Sequence, residues 1–264
     1  MLKGQFVAVS TGMNLAGHIS KISRSYIEQA DVVYCLMPHS LGEVWIHTLN
    51  SNVKSLQPFY AKGKHRMQSY EEMIDAMLQD VRMGKKVCGA FYGHAGVFAY
   101  VPRMAVKQAV KEGFRAHMEP GVSAEACLYA DLAIDPGESG IQGYEASQFL
   151  FYNQELNNSA YAIMWQIGLV GEYTAKQFET KKEWVEIFVS HLKKWYPLSH
   201  NVILYEAAVL PIETFRAETV ALKDLPDAEL NPKTTLVIPP SRSLQANQDV
   251  LDMFGISEQQ IAAR

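Results

Sequence analysis

Cysteine is scarce in this chain of 264 residues, and the three present make an odd number. Cys35, Cys88 and Cys127 are widely spaced in apolar surroundings, with no C-x-x-C pair and no Cys/His ligand spacing. A disulfide framework and a structural zinc site are thereby excluded, and buried free thiols in a reducing compartment are expected. No window approaches the roughly twenty uninterrupted apolar residues of a bilayer-spanning helix. The amino terminus lacks the apolar stretch of a signal peptide, so a cytoplasmic protein with no membrane partner is expected. Positive charge is not in excess: 24 Lys and Arg against 28 Asp and Glu leave a net charge of −4. A nucleic-acid partner held by phosphate neutralisation is therefore not expected. Neither G-x-G-x-x-G nor a Walker A lysine pattern occurs, which disfavours a nucleotide phosphate site.

What is present is core material. Hydrophobic residues make up 48% and charged residues 20%, the balance of a packed globular chain of one large domain or two modest ones. Strand-like runs occupy residues 5–10, 31–36, 53–56, 86–92 and 114–118. Helical patterns fall between them at 20–29, 44–49, 70–83 and 102–111, and another follows at 123–130 with Ser123 as N-cap. Residues 59–69 read as a polar loop. This alternation predicts an α/β domain on a largely parallel sheet. The second half reads as strands at 160–167, 201–207, 215–222 and 234–238, with a helix at 180–195 whose apolar positions are Trp184, Ile187, Phe188, Leu192 and Trp195. Residues 131–143, acidic and marked by proline, form the best boundary region, and 251–261 is an amphipathic stretch.

Three loops follow strands in the first half: Ser10-Thr11-Gly12-Met13-Asn14, Tyr92-Gly93-His94-Ala95-Gly96-Val97-Phe98 and Pro120-Gly121-Val122-Ser123-Ala124. Ligands of open α/β sheets gather beyond the carboxyl ends of the strands, where glycines let the backbone come close. Without a phosphate motif, an adenosyl ligand suits these loops better than a nucleotide. A fourth group is Tyr60, Arg66 and Tyr70. Taken alone it is a solvated basic loop flanked by aromatic packing. Alternatively, a guanidinium beside two phenols would lower a tyrosine pKa from about 10 and supply a base. His18, His94 and His117 show no metal spacing, Ser123 lies outside any nucleophile elbow, and Asp131 and Asp135 read as a solvated helix end.

The order of these segments resembles the tetrapyrrole methylase superfamily. The loop Tyr-Gly-His-Ala-Gly-Val-Phe stands where that superfamily usually has Gly-Asp-Pro, and Pro-Gly-Val-Ser-Ala-Glu-Ala follows. Met164-Trp165-Gln166, Tyr205-Glu206-Ala207-Ala208 and Thr234-Thr235-Leu236-Val237-Ile238 continue the likeness, which spans roughly residues 5–240. Within the superfamily the chain looks most like the borosin peptide backbone α-N-methyltransferases, on the spacing Tyr60-x5-Arg66-x3-Tyr70 with Gly63-Lys64 inside it. A family tyrosine three residues before Tyr60 is Gln57 here, so its role does not transfer. The chain ends soon after residue 240 without an apolar core-peptide tail, and so resembles the split type, whose precursor peptide is a separate protein.

The resemblance implies a tetrapyrrole methylase-like α/β fold. Its two α/β lobes, 1–118 and 119–240, would have the cofactor cleft between them, with a tail at 241–264. It implies S-adenosylmethionine as methyl donor and S-adenosylhomocysteine as product. Met13, Tyr92, His94, Val97, Phe98, Ser123, Ala124, Gln166, Tyr205, Ala207, Ala208 and Thr235 would lie around the cofactor. Tyr60, Arg66 and Tyr70 would be catalytic, with base and donor unassigned between the tyrosines and no metal required. A homodimer taking two separate precursor peptides, a heterotetramer, is the implied assembly. The rival readings are a precorrin or uroporphyrinogen C-methyltransferase, which would want a basic cleft, and a non-catalytic adenosyl-binding scaffold.

Overall fold

A computed structural model describes residues 4–262. The chain forms two compact units. The first holds the chain through Ile134 together with Glu172–Glu179 and Tyr205–Glu218; the second holds Asp135–Gly171, Thr180–Leu204 and the chain from Thr219 onward. The division therefore lies inside the proline-marked 131–143 stretch, and the first unit runs past the lobe limit of residue 118. The helix after that limit stays with the first unit because Leu128 is fully buried and Asp131 accepts the Tyr205 hydroxyl at 2.7 Å.

The first unit runs β1 (Gln5–Ser10), α1 (Lys21–Gln29), β2 (Val32–Leu36), α2 (Ser40–Leu49), β3 (Val53–Ser55), α3 (Arg66–Arg82), β4 (Lys86–Phe91), α4 (Tyr100–Lys111), β5 (Arg115–Met118) and α5 (Ala124–Asp131). Its five strands form one sheet in the order β3-β2-β4-β1-β5, and the pairings of β1 with β4 and β5 and of β2 with β3 and β4 are parallel. A parallel sheet is covered on both faces, which is why its strands are continuous apolar runs. Alternate side chains feed two cores. Phe6, Ala8, Tyr34 and Val87 join Met73, Met77 and Leu78 of α3 and Ala105 of α4. Val7, Val9, Val33, Cys35 and Cys88 join Ile27 of α1 and Ile46 of α2.

α3 carries the 3.6-residue pattern that the sequence shows, with Met73, Ile74, Met77, Leu78 and Val81 buried. Each such side chain contributes ~1.5–3 kcal/mol on leaving water. The helix begins at Arg66, inside what the sequence marks as a loop. His65 caps it by accepting from the Met67 N–H, a role the sequence disguises because histidine is not a usual N-cap residue. Near its other end Asp80 accepts from Tyr34 (2.8 Å), Lys54 (2.8 Å) and Lys85 (2.7 Å), fixing the helix to the sheet.

The second unit continues with α6 (Pro136–Ser139), β6 (Ile141–Glu145), α7 (Ala146–Phe151), β7 (Tyr161–Trp165), α8 (Lys182–Leu192), β8 (Asn201–Glu206), β9 (Arg216–Ala221), β10 (Thr235–Ile238), α9 (Gln248–Phe254) and α10 (Glu258–Ala262). Its sheet has the order β6-β7-β10-β8-β9, with β6 parallel and β10 antiparallel to β7. β6 and α7 have no sequence expectation behind them; β6 is an edge strand with Gly143 at its centre and little apolar character. On α8 the buried face is Val185, Phe188, Val189 and Leu192, and Ile187 is exposed, contrary to the sequence pattern. The cysteines are free; burial raises the pKa of all three, that of Cys35 to about 12.

Candidate active site

β1, β4 and β5 end at one edge of the first sheet, and the three loops leaving them are tied together. The Ser10 hydroxyl donates to the Glu119 carbonyl and accepts from the Ala95 N–H, both at 2.9 Å. Gly12 and Gly93 exchange backbone hydrogen bonds at 3.1 and 2.8 Å. Gly121 comes so close that a Cβ there would lie 2.2 Å from Ser10 Cβ. This close approach is the physical reason for a glycine in the third loop. Together these contacts gather Met13, Tyr92, His94, Val97, Phe98, Ser123 and Ala124 on the carboxyl edge of the sheet.

The segment Tyr205–Glu218 returns to the same unit, where the Leu15 N–H donates to the Val209 carbonyl at 2.8 Å. Met13, Met37, Trp45, Tyr92, Val209 and Leu210 line a small apolar recess. Tyr92, Val97 and Phe98 are exposed, and the three loops carry no lysine or arginine. Such an edge suits an uncharged nucleoside with a thioether better than a polyphosphate, so the residues present fit an adenosyl group. Tyr205 itself is buried, its hydroxyl engaged by Asp131, and burial followed by that carboxylate pushes its pKa up. Asp131, half-buried at the end of α5, is thus held by the Tyr205 hydroxyl rather than simply solvated. Asp135 caps α6. Ala207 and Ala208 are half-buried on the same segment. Gln166 and Thr235 belong to the second unit: Gln166 follows β7 in the left-handed conformation (φ 59°), and Thr235 is buried in β10.

The histidines have local structural roles. His18 Nδ1 accepts from the Asn14 N–H, His94 Nδ1 accepts from the Gly96 N–H, and His117 pairs with Glu119. Ser123 caps α5 by accepting from the Ala126 N–H.

Tyr60, Arg66 and Tyr70 come together in the first unit. The Tyr60 and Tyr70 rings meet edge to face with centroids 6.3 Å apart, and Tyr100 stacks on Tyr70 at 5.7 Å. Phe178 lies 6.1 Å from the Tyr60 ring and 5.5 Å from the Arg66 guanidinium carbon. Arg66 Nη2 donates to Glu172 at 3.1 Å. The sequence expectation that Arg66 lowers a phenol pKa is corrected for Tyr60. Burial is the largest influence and raises its pKa; Tyr70 and Tyr92 raise it further, and the downward pull of Arg66 is the smallest. Tyr60 is therefore a protonated donor at neutral pH, and the neighbouring Tyr70 phenol also favours that form. Tyr100, at the start of α4, has no sequence expectation behind it, and neither do Glu172 and Phe178, since nothing in the local pattern of residues 172–179 announces their return to the first unit. Gln57, in the place of the family tyrosine, donates to the Met37 carbonyl at 2.8 Å.

The family of Tetrapyrrole (Corrin/Porphyrin) Methylases matches residues 5–221. The chain belongs to this family. Curated relatives are named methyltransferase/ribosomally synthesized cyclic peptide precursors, some of them borosins. A methyltransferase/ribosomally synthesized type I borosin cyclic peptide precursor of Coprinopsis marcescibilis is 36% identical over 97% of this chain and 68% of its own length. The lentinulin A precursor of Lentinula edodes is 38% identical over 94% of the chain and 60% of its own, and the omphalotin A precursor of Omphalotus olearius 35% over the same shares. The chain thus spans about three fifths of the length of the first relatives it matches. Among solved structures, the cobalt precorrin-4 methyltransferase CbiF is 15% identical with a TM-score of 0.64, covering 89% of this chain and 94% of its own. A Thermus thermophilus uroporphyrin-III C-methyltransferase complexed with S-adenosyl homocysteine is 14% identical with a TM-score of 0.62, covering 89% and 92%. These likenesses give the fold.

Proposed function

We propose that this chain is an S-adenosylmethionine-dependent methyltransferase that methylates backbone amide nitrogens of a ribosomally made peptide, supplied as a separate precursor. The observation that carries this reading is the Tyr60–Tyr70 pair with an anchored Arg66 beside it, in a chain whose relatives carry borosin precursor names. Met13, Tyr92, His94, Val97, Phe98, Ser123 and Ala124 would hold the cofactor, with Ala207, Ala208 and the backbone of Tyr205 from the returning segment; Gln166 and Thr235 keep the same proposed role.

The chemical obstacle is the amide. Its nitrogen lone pair is delocalised into the carbonyl, so the N–H proton must leave and charge on the oxygen must be stabilised. Bound S-adenosylmethionine supplies an electrophilic methyl group on a sulfonium. Tyr60, held protonated by burial, suits the donor role, which assigns the base to Tyr70. To take the amide proton Tyr70 would have to act as a phenolate, becoming a neutral phenol as the charge passes to the amide. Arg66 donates to the amide oxygen, as an oxyanion hole does.

The rival tetrapyrrole reading needs a free basic cleft. The only basic cluster of the sequence that offers one is residues 62–66, and there Lys64 is paired with Glu72 and Arg66 with Glu172. Co-expression with short reading frames adjoining the gene, followed by mass spectrometry of the peptide products, tests the proposal. Methyl-sized mass steps localised to backbone nitrogens support it; side-chain or tetrapyrrole methylation, or transfer to no partner, contradicts it.

A further inference from the structure

The segment Glu172–Glu179 leaves the second unit after Gly171 and rejoins it at Thr180. Within the first unit it presses on the start of α3: the Ala175 carbonyl accepts from the Arg66 backbone N–H at 2.9 Å. Ala175 holds a left-handed backbone (φ 55°), a conformation that a non-glycine residue keeps only where its surroundings compel it. Two side chains of this strap reach the same guanidinium. Glu172 accepts from Nη2, and the Phe178 ring stands over the guanidinium carbon while also meeting Tyr60.

The Glu172 carboxylate is fully buried (0% exposed), whereas the Arg66 side chain keeps 20% of its surface open. Burial opposes the charge of Glu172, but the hydroxyl and N–H of Thr174, Arg66 and the Ala175 N–H outweigh it and hold the carboxyl below its usual range. A buried anion with this many donors is a fixed point. A guanidinium has five N–H donors. One goes to Glu172, and no other acceptor among the described residues takes the rest.

We propose that Glu172 is a positioning residue for methyl transfer: with Phe178 it clamps Arg66 beside the Tyr60–Tyr70 pair, leaving the remaining guanidinium N–H groups for the substrate's amide oxygen. This rests on the backbone-methylation reading and adds a residue to it. Glu172 does not touch substrate; it acts through Arg66. The clamp also sets a rotational state, because a carboxylate and a ring together hold a planar guanidinium more firmly than either alone.

The test uses the full chain, S-adenosylmethionine and a synthetic peptide with an apolar C-terminal stretch. Glu172→Gln keeps size and loses charge. It should lower kcat on the order of 10–100-fold, the range for loss of an orienting partner. The peptide KM and the cofactor Kd should stay within about threefold, since uniform binding is untouched. Glu172→Asp should recover part of the loss. In an Arg66→Ala background Glu172→Gln should cost nothing further, the sign of two residues acting as one. Nitrogen-15 NMR of the Arg66 guanidinium reads the clamp without catalysis: restricted in the wild type, freely rotating in Glu172→Gln. If that variant does not fold, Phe178→Leu should loosen the same signal and lower kcat. An equal kcat loss with and without Arg66, or a loss confined to KM or cofactor binding, would overturn the proposal. A wild-type signal already free would overturn it whatever the activity. A clamped Arg66 on a peptide that stays unmethylated would instead overturn the proposed function.

Discussion

Tyr60 meets Tyr70 edge to face, ring centroids 6.3 Å apart, and the two phenols are not in equal surroundings. Burial and its neighbours keep Tyr60 protonated, so the account separates the two roles. Tyr70→Phe removes the acceptor of the amide proton. Peptide methylation should fall by about 10²–10⁴-fold, the usual worth of general-base catalysis. Arg66→Ala should also lose methylation by orders of magnitude. Calorimetry should find S-adenosylmethionine binding retained in both variants; wild-type turnover in both would remove the mechanism.

The raised pKa of Tyr60 has an optical consequence. Because its folded-state value lies above the ordinary one of about 10, Tyr60 should still be a phenol when exposed tyrosines have ionised. An ultraviolet phenolate titration of wild type against Tyr60→Phe should show no difference up to about pH 10. A phenolate lost in the variant at neutral pH would contradict the protonated Tyr60.

Asp80 ties acid stability to the helix that bears the site. Burial opposes its charge, but hydrogen bonds from Lys54, Lys85 and Tyr34 hold its pKa down to about 2. A carboxyl depressed on folding from an unfolded value of about 3.9 contributes stability above that value and loses it as pH falls toward the folded one. The contribution at neutral pH is ~2 kcal/mol. Asp80→Asn should lower the unfolding free energy by about that amount at pH 7 and by little near pH 2, as denaturant titrations at the two pH values would read.

Gly121 packs directly on Ser10. A methyl group at 2.2 Å from Ser10 Cβ cannot be accommodated without moving the loop. Gly121→Ala should cost about 1–3 kcal/mol of stability. It should also weaken S-adenosylmethionine binding on the order of tenfold, since Ser10 ties the second and third loops together. Unchanged Tm and Kd would place the cofactor away from this edge.

Much of this was legible in the residues. Apolar runs such as Phe6–Val9 and Val32–Cys35 announce a sheet covered on both faces, and Met73, Ile74, Met77, Leu78 and Val81 announce α3. The spacing of Tyr60, Arg66 and Tyr70 brought the trio to notice, and the structure brings those residues together. The start of α3 was hidden because a histidine caps it. Glu172 and Phe178 were hidden because their partners lie about a hundred residues away, and no local period encodes a returning strap. The balance at Tyr60 was hidden as well. Sequence shows that an arginine is near, but only packing shows that desolvation outweighs it.

The most direct measurement is fragment-ion mass spectrometry of a peptide modified in cells by the wild-type protein and by Tyr70→Phe. The account predicts that each methyl-sized step maps to a backbone nitrogen, separated from that residue's side chain by N–Cα cleavage, in the wild-type product and is lost in the variant. Methyl groups on side chains, or an unaltered product from Tyr70→Phe, would contradict it.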